Sequence, residues 1–152
     1  MVQRTATSLA ALYEADETAW LEAMAHLAAE RRLEEIDYSN LSEYLTDMAR
    51  RDRRELYSRL VLLLTHFLKW QFQPDQRTNS WRVTIRTQRR DLGMLLESGT
   101  LRNHASAVLV KAYEDAREDA ALETGLPIET FPAECPWTVA ELLERELEAE
   151  GA

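Results

Sequence analysis

The chain has 152 residues, 45% of them apolar and 30% charged, with a net charge of −9. That is the size and make-up of one ordinary domain able to bury its own core. Four Trp, five Tyr and three Phe exclude a disordered segment, and so acidic a balance argues against a nucleic-acid partner.

The single cysteine, Cys135, excludes an intramolecular disulfide and any Cys-x-x-Cys or zinc spacing. A reducing compartment is the matching expectation. Met1 to Ala6 carries one Arg with no apolar stretch behind it, so no signal peptide is expected. The longest strongly apolar run, Leu60 to Leu64, falls far short of the ~20 residues that a membrane span needs. A soluble, cytoplasmic protein without a membrane partner follows as an expectation.

Charge is segregated along the chain. Residues 1–49 hold three Arg against ten Asp and Glu, residues 50–90 hold eleven Lys and Arg against three, and residues 91–152 hold four against fourteen. A basic middle therefore lies between two acidic arms.

In chain order, residues 1–10 read as a loose N-terminal segment, and Ser8 to Tyr13 as a first, short apolar stretch. Asp16 reads as an N-cap, and Trp20, Met24 and Leu27 fall on one face of the helix after it. Arg31 and Arg32 near its end suit the helix dipole. Asp37 to Asn40 is a break, and Asn40 with Glu43 resembles a capping box. No Pro or Gly then occurs before Pro74, which predicts one long helix or two collinear ones. Leu41, Leu45 and Met48 share a face, and Leu60 to Phe72 is apolar nearly all round, the mark of a central helix.

A polar loop from Pro74 to Asn79 precedes a helix from Trp81 to Leu96, capped by Asn79 or Ser80. Trp81, Ile85, Gln88, Leu92 and Leu95 form its inner face; Arg82, Arg86 and Arg89 run beside that face, with Arg90 further round. Ser98-Gly99-Thr100 stops that helix and starts another, which runs to about Glu123 with Gly125 just past its end. Pro127, Pro132 and Pro136 forbid regular helix from Leu126 to Trp137, predicting an extended strap anchored by Ile128, Phe131 and Trp137. Thr138 and Glu141 make a capping box for a last helix, from Val139 to about Ala149. Its stripe of Leu142, Leu143, Glu146 and Leu147 suits either a bundle member or a docking helix. No segment alternates with period two. The expectation is an all-α, single-domain antiparallel bundle of about five helices with a Pro-rich strap.

The run from His66 to Pro74 (His-Phe-Leu-Lys-Trp-Gln-Phe-Gln-Pro), then Ser80 to Arg89, then Gly125-Leu126-Pro127, Phe131-Pro132 and Cys135-Pro136-Trp137, taken with Leu12-Tyr13, Asp16 and Trp20, resembles a bacterial, largely cyanobacterial family of unknown function, number twenty-nine of its series. The likeness covers Leu12 to Leu143 in order, with Trp137 standing where Tyr is more usual. It implies an all-helical fold and carries over no chemistry.

Four constellations bear on function. His66, Lys69 and Trp70, with Trp81, form a possible polar site within the bundle. They equally read as a satisfied core histidine, a lysine reaching out to water and aromatic filler. No Glu-x-x-His pair precedes His26, His66 or His104, so no di-metal site is expected. Glu22 and His26 read as a salt-linked pair rather than a shared ion site.

Arg82, Arg86, Arg89 and Arg90, with Arg50 to Arg54, make a possible anion-binding stripe that Trp70 and Trp81 could extend by stacking. Ion pairing of the basic middle with the acidic arms is the simpler account of the same residues. Cys135 reads as a small apolar residue of the strap, and no phosphate-cradling loop occurs.

These readings favour a non-enzymatic protein-interaction or regulatory module, acting through a protein partner or as a homodimer and needing no cofactor and no metal. The alternative is a binder of nucleic acid or a phosphorylated ligand at Arg82, Arg86 and Arg89. An enzyme using His66 is the remote third.

Overall fold

A computed structural model describes residues 6–147. Among the described residues there are six α-helices and three short 3₁₀ turns, and no strand. Helix α1 spans Ala6–Ala15, α2 Glu17–Ala29, α3 Tyr38–Phe72, α4 Asn79–Leu95, α5 Gly99–Thr124 and α6 Val139–Glu144. The all-α expectation holds, with one helix more than expected. Residues 1–5 of the anticipated loose segment lie outside the described residues, whereas Ala6 onward forms α1 and buries Leu9.

The chain divides into two compact units, residues 1–50 and 51–152. In the first, Leu9, Trp20, Met24 and Leu27 form a core against which Tyr13, Ile36, Leu41 and Tyr44 pack. Asp16 caps α2 as expected, accepting from the Ala19 amide at 3.1 Å. The start of α3 departs from expectation. Asn40 is not its cap, because the helix already begins at Tyr38 and the Asp37 carboxylate meets the Asn40 amide at 3.5 Å and its side-chain nitrogen at 2.7 Å. Asp37 also accepts the Trp20 indole N–H at 3.2 Å, so one buried carboxylate holds both a helix start and a core aromatic. Leu45, assigned to an apolar face, is 57% exposed.

In the second unit the core is built by α3 (Leu56, Leu60, Leu63, Leu64, Phe67, Leu68, Trp70), α4 (Ile85, Leu92), α5 (Ala105, Ala112, Tyr113, Ala116, Ala120) and α6 (Leu142), with Phe131 and Trp137. The α5 alanines recur at near-helical spacing, so one face of that helix enters the core with small side chains. Gln88, placed by its periodicity on the inner face of α4, is buried and accepts from Arg59 at 3.2 Å. Thr78, not Asn79 or Ser80, caps α4 by accepting from the Trp81 amide at 3.2 Å. Ser98 caps α5 in the same way.

The strap follows Gly125, whose φ of 73° is the left-handed turn that ends α5. Its three prolines leave room for one short 3₁₀ turn, Ile128–Thr130. The Tyr113 hydroxyl donates to the Pro132 carbonyl at 2.6 Å, and Arg117 donates to the Phe131 carbonyl at 3.2 Å. Phe131 meets Phe72 edge-on at 5.7 Å, and Trp137 meets Phe67 at 5.2 Å. Thr138 and Glu141 close the expected capping box of α6. That helix stops at Glu144 and Arg145 is extended; Ala149, its expected end, lies outside the described residues. The stop has a visible cause, since the Arg89 guanidinium reaches over from α4 to the carbonyls of Leu142 (2.7 Å) and Arg145.

Candidate functional site

The last turns of α3, the start of α4 and the end of α5 bring His66, Lys69, Trp70 and Trp81 into one neighbourhood. His66 is 9% exposed. Its Nδ1 lies 2.9 Å from the carbonyl of Leu62 one turn earlier. A carbonyl only accepts, so Nδ1 carries the proton and Nε2 is the unprotonated nitrogen of the neutral ring. Burial holds the imidazole below its ordinary titration range, opposed by the Leu62 hydrogen bond and reinforced by the Lys69 charge.

Lys69 is nearly covered. Its ammonium stands 4.7 Å from the centre of the Trp81 ring and 3.6 Å from a Glu123 carboxylate oxygen. An aromatic face and an opposite charge together satisfy a partly desolvated ammonium. Trp70, 3% exposed, packs in the core with the guanidinium groups of Arg77 and Arg82 at 4.7 and 4.9 Å from its ring centre. Arg77 also donates to the Trp70 carbonyl at 2.8 Å.

The sequence reading missed the acidic side of this seam. Asp115, Asp119 and Glu123 recur at every fourth residue of α5 and so share one ridge. Asp115 accepts a hydrogen bond from the Tyr57 hydroxyl of α3. Burial first, and then this carboxylate, push the Tyr57 phenol up to about 12. Asp119 is raised by burial and by its two acidic neighbours. The spacing of the three carboxylates was visible in the sequence; that they face Tyr57 and Lys69 depends on the packing of α5 on α3.

The arginine stripe is not one surface. Arg89 is turned inward, over the Phe67 ring at 5.1 Å and onto the α6 carbonyls, and burial lowers its ionisation range. Arg82 is exposed yet lies over Trp70. Arg90 pairs with the adjacent Asp91 at 3.3 Å. Arg86 is exposed, with no ion pair among the described residues. The expected pairing of basic middle with acidic arms appears as Lys69 with Glu123 and Arg59 with Asp91, while Arg59 also pairs at 3.0 Å with Glu55 inside the middle itself. Aromatic rings also hold Arg77, Arg82 and Arg89, and backbone carbonyls accept from Arg77 and Arg89.

His26 pairs with Glu30 at 2.9 Å, not with Glu22; the following turn supplies its partner. No group of three metal-ligating side chains occurs among the described residues. The Cys135 thiol donates to the Trp137 carbonyl at 3.3 Å, and burial pushes its pKa up, away from a reactive thiolate. Among the described residues, no helix is long and apolar enough to cross a membrane.

A family model described as domain of unknown function DUF29 matches residues 12–147. No curated protein and no solved structure matches the chain.

Proposed function

This chain belongs to the DUF29 family, and from that premise we propose that it is a non-enzymatic, cytoplasmic protein-interaction or regulatory module working through a helical surface. The observation that carries the proposal is the exposure of large apolar side chains on the outer faces of two neighbouring helices. Val83 and Met94 on α4 are 62% and 66% exposed, and Val110 and Leu122 on α5 are 69% and 82% exposed. Contiguous exposed apolar surface rimmed by polar residues marks interaction sites, and on this reading these side chains are the ends of such surfaces. The polar seam lends further support, since His66 is bonded within α3 and Lys69 joins α3 to Trp81 of α4 and Glu123 of α5.

The test is gentle purification of the tagged protein from its native cells, with and without nuclease, followed by measurement of stoichiometry. A defined protein complex, of like or unlike chains, is the expected result. A nuclease-sensitive sample rich in nucleic acid would replace this reading with phosphate binding at Arg82 and Arg86. The Arg86→Glu variant would then lose its binding.

A further inference from the structure

Two outward ridges of the second unit carry complementary patterns. On α4, Val83, Arg86, Arg90 and Met94 lie within about 80° of one another at ~100° per residue, and all four are exposed. On α5, Val110, Glu114, Glu118 and Leu122 follow a single every-fourth-residue row, and all four are exposed. Each ridge therefore reads apolar, charged, charged, apolar, over about 16–18 Å of helix. One is cationic and the other anionic. Arg86, Glu114 and Glu118 make no ion pair among the described residues, and Arg90 has only its sequence neighbour Asp91.

We propose that these two ridges are the two halves of one interface, and that the occupant of the α4 ridge is the α5 ridge of a second copy of this chain. The proposal rests on the interaction-module reading and names its partner. The charges sit one turn apart on both helices, so Arg86 and Arg90 can each face one of Glu114 and Glu118 while the apolar ends cover one another. Rows of every-fourth residues interlock at a crossing of about −50°. Each copy offers both ridges, so a two-fold axis can apply the contact twice and close a dimer. Like charges at either ridge would oppose association, which gives the pairing its specificity.

The experiment is light scattering on the full chain in four samples: wild type, Arg86→Glu/Arg90→Glu, Glu114→Arg/Glu118→Arg, and an equal mixture of the two variants. The first variant has acidic patches on both ridges and the second has basic patches on both. The expected result is a wild-type dimer that dissociates as salt is raised, two variants each at half the wild-type mass, and a mixture that returns to the dimer mass. Circular dichroism checks that each variant keeps its helix. Should a double variant lose it, Arg86→Gln alone takes its place and is expected to weaken the dimer.

A monomeric wild type, a dimer that survives both swaps, or a mixture that stays monomeric would overturn the inference. The broader reading fails separately. A monomeric wild type that still retains a stoichiometric foreign partner removes the second copy and leaves the interaction module standing.

Discussion

His66, read in the sequence as a possible site residue, sits buried with its ring bonded inside its own helix. Its proton on Nδ1 is committed to Leu62, and burial favours the neutral ring. Because its folded pKa lies below the unfolded value, the unfolded chain binds the proton more readily as pH falls. The stability tied to neutral His66 is therefore complete above the unfolded pKa of about 6.5 and is lost as pH drops below it. Lys69 and Glu123 act on the ring in opposite senses, so burial sets the direction. Glutamine can donate to the same carbonyl without titrating. His66→Gln is thus expected to stay folded and to lose less stability than wild type between about pH 7.5 and about pH 5.5. Denaturant melts at both pH values would measure this, and equal losses in the two proteins would refute it. The sequence offered His66, Lys69 and Trp70 on about one turn, with Trp81 in the same possible site, and Lys69 does meet Trp81. Glu123 could not be joined to it from the sequence, because nothing local says which face of α5 meets α3.

Local side-chain caps were legible to within a residue or two, since Thr78 rather than its neighbours Asn79 or Ser80 caps α4. Asp16 and the Thr138–Glu141 box stand as read, because the signal and the hydrogen bond lie within four residues. The start of α3 was misplaced because Asp37 is fixed by Trp20, a partner seventeen residues away. The end of α6 was misplaced for a similar reason, since its terminal carbonyls are taken by Arg89. Gly125 is the sharpest test at this scale. A Cβ added there meets nothing within 4 Å, so any penalty is conformational rather than steric contact. Gly125→Ala is expected to cost about 1–2 kcal/mol, the price of a left-handed alanine. Gly125→Asn should cost less. Thermal melts would read both, and an alanine variant as stable as wild type would show that the strap can leave α5 by another path.

At the scale of the molecule, helicity and the strap were legible from composition, because few breakers and three clustered prolines leave little else. The division of the chain into two units was not, since α3 runs through residue 50 without a break. We propose that the chain nonetheless unfolds as a single domain. Leu27 in one core and Leu64 in the other should then lose amide protection at the same denaturant concentration. Separate midpoints in a hydrogen-exchange series would show two domains. Within the second unit, the seam between α3 and α5 also bears on how the chain folds. Arg59 reaches Gln88 of α4 across 29 residues, whereas Tyr57 reaches Asp115 of α5 across 58. Doubling a loop adds about 0.6 kcal/mol to the entropy of closing it. Tyr57 pairs with Asp115 and Lys69 with Glu123, so α3 and α5 run in the same direction, and no tight turn can join two such helices. On loop-closure entropy the hairpin of α3 with α4 is therefore expected to close first. The carboxylate row of α5 then closes onto a surface that its predecessor has already shaped.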